Sequence, residues 1–170
     1  MTSDAEIMDQ AIKAAAVKVG KYLTFTLKGE EYGISILKVK KIIGMMPVTS
    51  IPRTSDFVKG VINLRGKVIP VVDLRLKFVM ESIPDTYRTC IIVVEIDLES
   101  GIVLIGIVVD TVSEVLNIKE EDIEGSPEFG TKLDTNYILG MAKMKGGVKM
   151  LLDISKILSS EEKTILEKTA

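Results

Sequence analysis

Few side chains in this sequence could carry covalent or acid–base chemistry. The 170 residues contain no histidine and a single cysteine, which excludes a Ser-His-Asp triad, a histidine phosphoryl carrier and the usual imidazole metal sites. Cys90 lies within the apolar run TCIIVVEI, so we expect a buried thiol that does not react. One cysteine cannot form an internal disulfide and suits a reducing compartment.

The carboxylates supply no clear candidate for catalysis or metal binding. Four of the five residues from Glu120 to Glu124 are acidic, but nothing in the sequence would hold them around a substrate or a metal. Asp73 and Asp153 each follow an apolar run, and we expect both to end strands and to cap the segments after them. The sequence therefore predicts no catalytic residue, no metal site and no cofactor.

Arg65 is the one side chain whose setting favours recognition. Two β-branched runs, residues 61–62 and 68–72, flank the polar segment 63–67, a pattern typical of a β-hairpin with a tight turn. We expect Gly66 at positive φ, where a Cβ would be strained, and Arg65 at the tip. A fixed guanidinium can bind a carboxylate or backbone carbonyls through two hydrogen bonds. We expect Val68, the first residue of the second run, to lie in the core.

Composition limits the class of protein. Hydrophobic residues make up 46% of the chain and aromatic residues only 5%, so Val, Ile and Leu supply the apolar mass and favour strands. The net charge of −2 and the absence of Trp argue against nucleic acid as a partner. The longest apolar region, residues 91–109, is interrupted by Glu95, Asp97 and Glu99, so we expect no membrane insertion.

Alternating apolar residues and turn signals predict the elements that position the hairpin. We expect a flexible tail at residues 1–20 and a helix at 159–170, where Ser159 and Glu162 form a capping box. Between them we expect a single helical turn at 36–38, a loop at 45–53, an exposed loop at 119–136, and strands at 22–27, 32–36, 39–43, 87–96, 102–109, 111–118, 137–144 and 148–152.

The second half of the chain repeats the first. Residues 60–74 align without gaps on residues 140–154, and residues 33–43 align on 106–116. Glycine, valine and aspartate recur at matching places: Gly60 and Gly140, Gly66 and Gly146, Val68 and Val148, Asp73 and Asp153. The repeat predicts two all-β units of about five strands, at residues 21–84 and 85–158, which close into small barrels.

The two predicted hairpin tips differ in their polar residues. Arg65 of the first copy corresponds to Lys145 of the second, and Asn63 corresponds to Lys143. This asymmetry indicates two different surfaces for two different partners.

Three segments carry a family resemblance: residues 25–44, residues 57–78 with the run GVINLRGKVIPVVDLR, and residues 106–116. They closely resemble the CheW-like domain family of bacterial chemotaxis coupling proteins, and the similarity extends from about Tyr22 to Glu167. The resemblance implies a mainly β fold of two five-stranded SH3-like β-barrels that share a hydrophobic core, with short helices and a C-terminal helix.

The resemblance also implies a function. Such a protein is a non-catalytic adaptor in the cytoplasm, associated with membrane receptor clusters and monomeric when isolated. It couples chemoreceptors, the methyl-accepting chemotaxis proteins, to the histidine kinase CheA. A small catalytic or ligand-binding β-barrel is the alternative, which a deep polar pocket or phosphotransfer activity would favour.

Binding residues follow from the same resemblance. Contact with the cytoplasmic tip of chemoreceptors is implied at Val39, Lys41, Lys59, Gly60 and Arg65. Acidic residues can occupy the Lys41 position in the family, so its pairing partner in this chain is open. Strand alternation at Val39 favours a core position over a contact.

Contact with the regulatory domain of CheA is implied on apolar surfaces of the second half. The residues concerned are Val109, Val112 and Val115.

Overall fold

The computed structural model describes Ala5 and residues 20–52, 58–77, 85–98, 101–124, 137–144 and 147–157. Regular structure in these ranges is mainly β, with one short helix and three 3₁₀ turns at Ile36–Lys38, Glu120–Asp122 and Ile154–Lys156. In chain order the elements are β1 (Lys21–Leu27), β2 (Glu30–Ser35), β3 (Val39–Gly44), β4 (Val58–Leu64), β5 (Lys67–Asp73), α1 (Leu74–Lys77), β6 (Cys90–Leu98), β7 (Gly101–Val109), β8 (Thr111–Asn117), β9 (Ile123–Glu124), β10 (Ile138–Met144) and β11 (Gly147–Leu152).

Most strands and the helical turn at residues 36–38 lie where the sequence predicts them. The strand predicted from Tyr87 begins at Cys90 instead. The reason is a turn in which the Thr89 N–H donates to the Thr86 carbonyl oxygen at 3.2 Å and the Thr86 N–H donates to the Thr89 hydroxyl at 2.8 Å. The predicted helix at 159–170, and all of the predicted tail at 1–20 except Ala5 and Gly20, lie outside the described residues. No helix in the described ranges is long and apolar enough to cross a membrane.

The strands form two sheets, and each sheet draws on both halves of the chain. The six-stranded sheet has the order β8-β1-β2-β11-β10-β9, and the five-stranded sheet has the order β3-β6-β7-β5-β4. The β1–β2 hairpin thus lies among strands of the second half, and the β6–β7 hairpin lies among strands of the first. Neither predicted range, 21–84 or 85–158, forms a sheet alone.

Matching bulges mark the internal repeat in the structure. The pairing register of β4 shifts around Lys59, and that of β10 shifts around Leu139. The register of β3 shifts around Lys40, and that of β8 shifts around Ser113. In the gap-free alignment of residues 33–43 with 106–116, Lys40 corresponds to Ser113, and Lys59 and Leu139 directly precede the aligned glycines Gly60 and Gly140. The duplication inferred from the sequence therefore extends to backbone irregularities.

Close backbone contacts explain why two of the repeated positions are glycine. A Cβ on Gly60 would lie 2.0 Å from the Thr49 carbonyl oxygen, and a Cβ on Gly140 would lie 2.5 Å from the Glu124 carbonyl oxygen. In both copies a neighbouring segment crosses the strand so closely that only glycine fits. At Gly60 the backbone also has a φ of +146°.

The main hydrophobic core lies between the two sheets. It combines Phe25 and Ile34 of the six-stranded sheet with Ile92 and Ile107 of the five-stranded sheet, all at most 1% exposed. Each sheet also carries a smaller apolar cluster of its own, around Ile69 in the five-stranded sheet and around Leu151 in the six-stranded sheet. The shared core predicted for the two units is therefore present.

The prediction that Val68 belongs to the core is wrong. Its side chain is 56% exposed, and its counterpart Val148 is 50% exposed. β5 pairs with β7 only over Val71, Val72 and Asp73, so the part of β5 nearest the turn has β4 as its single neighbour. The β-branched run is continuous in sequence, but neighbouring strands cover only its second part.

A pair of aspartate substitutions separates the two parts of this run. We expect Val68→Asp to lower the free energy of unfolding by about 1 kcal/mol or less, because the carboxylate stays in water. Val71→Asp places an unpaired charge at a fully buried position, and we expect a loss of more than about 3 kcal/mol. Urea unfolding followed by circular dichroism measures both, and equal losses would contradict the assignment.

Candidate protein-binding site

The tip of the β4–β5 hairpin is a tight turn that holds Arg65 outward. Arg65 and Gly66 have φ values of +53° and +84°, and positive values at both central residues are the signature of a type I′ turn. The Asn63 side-chain oxygen accepts the Gly66 N–H at 2.8 Å. The predicted positive φ of Gly66 is confirmed. Arg65, which is exposed, shares the left-handed conformation, and the sequence analysis did not foresee this.

Lys59 and Gly60 lie on β4, the strand that leads into this turn. The bulge at Lys59 turns its side chain toward the end of β5, where Nζ lies 3.8 Å from Asp73 Oδ2. The Lys59 side chain is 27% exposed. Gly60 is tightly packed against Thr49, whose backbone exchanges two hydrogen bonds of 2.9 Å with Val61. The close approach at Gly60 is thus made by the chain itself.

The other two predicted receptor residues lie on the opposite edge of the five-stranded sheet, on β3. Val39 is 6% exposed and packs in the shared core, as strand alternation indicated. Lys41 is half-buried and follows the bulge residue Lys40, whose ammonium pairs with Glu95 at 2.9 Å. The structure therefore places Lys59 and Gly60 on β4, Arg65 at the turn that follows β4, and Val39 and Lys41 on β3.

The predicted kinase residues line the end of β7 and the following strand β8. Val109 is fully buried in the shared core, and Val112 and Val115 are partly buried against it. A side chain as covered as Val109 can support a contact surface but cannot itself be touched. A role of these three residues in kinase binding stays a prediction.

A buried charge network, which the sequence analysis missed, lies between these regions. Arg75 is fully buried, yet its guanidinium binds Asp73 through two hydrogen bonds of 3.0 Å, from Nε to Oδ1 and from Nη2 to Oδ2. Its Nη1 donates to Asp110 Oδ1 at 2.9 Å. Asp73 is fully buried and Asp110 is 13% exposed. Two carboxylates from different halves of the chain thus share one guanidinium.

Backbone groups fix the two carboxylates of this network. Asp73 Oδ1 accepts the Arg75 N–H at 2.9 Å, which confirms the predicted cap at the start of α1. Asp110 Oδ2 accepts the Lys28 N–H at 2.6 Å, and the Asp110 N–H donates to the Thr26 carbonyl oxygen at 3.1 Å. The network therefore ties the β1–β2 hairpin, the end of β5 and the β7–β8 corner together.

Arg75 keeps its charge despite its burial. Desolvation acts to lower the pKa of the guanidinium, but hydrogen bonds and charge interactions with Asp73, and then with Asp110, raise that pKa above its ordinary value. The sequence contains one signal for this network, since Asp73, Arg75 and Asp110 directly follow or nearly follow long apolar runs. Asp110 lies 35 residues after Arg75, so the sequence does not reveal the contact between them.

The structure describes Cys90 and the acidic residues from Glu120 to Glu124. Cys90 is buried, as predicted, and burial raises the pKa of its thiol to about 11. In the predicted acidic loop, Glu120, Glu121 and Asp122 are exposed, and Glu124 pairs with Lys143 at 2.6 Å. Among the described residues there is no group of three or more side chains placed to hold a metal ion. What the geometry offers is fixed charge and surface for binding another protein.

Comparisons with known proteins agree with this architecture. The family model of the CheW-like domain matches residues 21–162, which contain every strand from β1 to β11. The chain is 45% identical over 159 residues to the chemotaxis protein CheW of Klebsiella aerogenes, with 93% of each chain covered. It is 34% identical over 150 residues to the chemotaxis protein CheW of Bacillus subtilis, with 86% of this chain and 92% of that one covered.

A solved structure gives the same result for the fold. The crystal structure of the scaffolding protein TtCheW from Thermoanaerobacter tengcongensis matches with a TM-score of 0.74 at 34% sequence identity. The match covers 84% of this chain and 94% of that chain. Sequence and backbone therefore point to the same relatives.

Replacement of Arg75 tests the buried network. Arg75→Met leaves Asp73 and Asp110 without the cation between them, and we expect a loss of about 3–5 kcal/mol in the free energy of unfolding. The control is Arg88→Met, because Arg88 is exposed and its guanidinium lies 5.5 Å from the Tyr87 ring centroid. Urea unfolding compares the two variants, and a similar loss in both would contradict the assigned role of Arg75.

The raised pKa of Cys90 predicts a thiol that reacts slowly in the folded protein. Between the ordinary pKa of 9.0 and about 11, the thiolate fraction at pH 8 falls by roughly 100-fold, and alkylation slows at least as much because the thiolate is the reacting form. The measurement is the rate of iodoacetamide labelling with and without denaturant. Equal rates in both conditions would show that the thiol is accessible.

Proposed function

Because the chain belongs to the CheW-like domain family, we propose that it is a non-catalytic adaptor that couples chemoreceptors to the histidine kinase CheA in bacterial chemotaxis. The observation that carries this proposal is the family match over residues 21–162. The relatives are named chemotaxis proteins, and the solved one is named a scaffolding protein. An adaptor needs surfaces and no reactive groups, which agrees with the burial of the single cysteine.

The receptor contact in this proposal is the β4 edge of the five-stranded sheet, with the hairpin tip. The type I′ turn fixes the backbone at Arg65, so the hairpin tip does not have to be ordered on binding. Lys59 adds a second positive charge on the same strand. Two cations at this edge fit a receptor segment that carries carboxylates. Lys41 adds a second contact on β3, at the opposite edge of the sheet, and Val39 supports it from the core.

The kinase contact in this proposal lies at the β7–β8 corner. Val112 and Val115 are partly exposed apolar side chains, and Val109 supports them from the core. The partner is the regulatory domain of CheA. In this proposal both partners bind at once, and the adaptor raises their local concentration.

The finer features of the proposal concern form and location. Each sheet curves into an SH3-like barrel. The isolated protein is a monomer in the cytoplasm, where it associates with membrane receptor clusters. Each interface is modest, near the low end of about 1,200–2,000 Å², so that the assembly can respond to the receptor.

Charge reversal at the hairpin tip tests the proposed function. We expect Arg65→Glu to leave thermal unfolding unchanged and to weaken binding to a soluble chemoreceptor fragment by about tenfold or more, because an attractive charge becomes repulsive. Binding to the regulatory domain of CheA should change by less than about twofold. Titration calorimetry with each partner measures both effects.

The matched control is Lys28→Glu. Lys28 and Gly29 form a turn with φ values of +51° and +83°, so the control makes the same change of sign in the same turn type on a different hairpin. Equal weakening by both variants would show that net charge, and not the Arg65 tip, governs receptor binding. Failure of the unmodified protein to bind either partner would refute the adaptor function.

A further inference from the structure

Four charged side chains connect the two proposed binding surfaces through the interior. Lys59 Nζ lies 3.8 Å from Asp73 Oδ2, Asp73 binds Arg75 through both of its oxygens, and Arg75 binds Asp110 at 2.9 Å. We call these four residues the charge relay. Lys59 precedes Gly60 at the proposed receptor contact, and Asp110 follows Val109 at the proposed kinase contact.

The relay is open to solvent chiefly at the receptor end. The Lys59 side chain is 27% exposed, against 13% for Asp110, 1% for Arg75 and none for Asp73. An incoming anion can therefore reach the ammonium of Lys59 while the next two members stay covered. Inside the protein, charge interactions are screened far less than on the surface, so the covered members respond to a change at Lys59.

The far end of the relay holds a structural corner. Asp110 joins β7 to β8, accepts the Lys28 N–H with its second oxygen, and donates its own N–H to Thr26. The side-chain position of Asp110 depends on Arg75. A shift of Arg75 toward Asp73 therefore weakens the hold on the segment that carries Val112 and Val115.

We propose, on the basis of the proposed function, that the charge relay couples receptor binding to kinase binding. The four charges sum to zero while Lys59 faces Asp73. A receptor carboxylate that binds the Lys59 ammonium competes with Asp73 for it, and Asp73 then draws more strongly on Arg75. Asp110 loses part of its share of the guanidinium, and the β7–β8 corner changes its affinity for the kinase. By linkage, kinase binding changes receptor affinity by the same factor.

The chain contains a close control for this proposal. Lys40 is also a lysine at a β-bulge with a carboxylate partner, Glu95, at 2.9 Å. The Lys40 side chain is 50% exposed and Glu95 is 29% exposed, so their ion pair lies at the surface. Lys40→Met removes the same charge from the same kind of backbone position without touching the relay.

The first experiment uses the free protein and needs no partner. Amide nitrogen–proton NMR spectra are compared for the unmodified protein, Lys59→Met and Lys40→Met. We expect Lys59→Met to shift the amide signals of Lys28 and Asp110 and the Arg75 Nε–H signal, whereas Lys40→Met leaves all three in place. Unshifted signals at Lys28 and Asp110 in Lys59→Met would overturn the relay as a route.

The second experiment measures coupling directly. The affinity for the regulatory domain of CheA is determined with and without a saturating soluble chemoreceptor fragment. For the unmodified protein and for Lys40→Met we expect the fragment to change this affinity by about fivefold or more. For Lys59→Met and for Asp110→Asn, which keeps the shape of the side chain but removes its charge, we expect less than about twofold.

The outcomes separate the two proposals. If the unmodified protein binds neither partner, the adaptor function fails, and the coupling fails with it. If it binds both partners but shows no coupling, or if Asp110→Asn retains the full factor, the relay proposal alone is overturned. Saturation with the receptor fragment ensures that weaker receptor binding by Lys59→Met is not mistaken for lost coupling.

Discussion

Parallel pairing between the halves of the chain is the contact on which the rest of this structure depends. β5 pairs with β7, and β2 pairs with β11, so each N-terminal hairpin of a repeat completes the sheet of the other repeat. The core between the sheets then contains side chains from both halves. Neither half has a complete sheet or a complete core by itself, and the two must therefore fold together.

Local patterns in the sequence predicted the local elements well. The turn at Ile36–Lys38, the hairpin around Arg65 and the cap at Asp73 all depend on neighbouring residues, and all are present. The exchange of hairpins was not foreseen, because alternation and turn residues do not state which strand pairs with which. The exposure of Val68 was not predicted for the same reason, since burial depends on strands that lie far away in the chain.

The candidate site shows the same division between local and distant information. Arg65 and Gly60 could be singled out because turn residues and glycines are recognisable in the sequence. Almost nothing in the sequence singles out Arg75, although it is the largest fully buried side chain of the described residues. Its partners include Asp110, which is 35 residues away, and only the assembled sheets bring them together. A buried arginine with two carboxylates is stable as a set and costly to break.

The bulges at Lys40 and Ser113 have a further consequence for contacts between copies of the protein. They fall on β3 and β8, which are the outermost strands at one side of each sheet. An extra residue disturbs the regular row of N–H and C=O groups that another chain would need for edge-to-edge pairing, and an exposed lysine on β3 adds charge at that row. The same backbone irregularity that records the duplication thus disfavours edge-to-edge pairing between copies at β3 and β8.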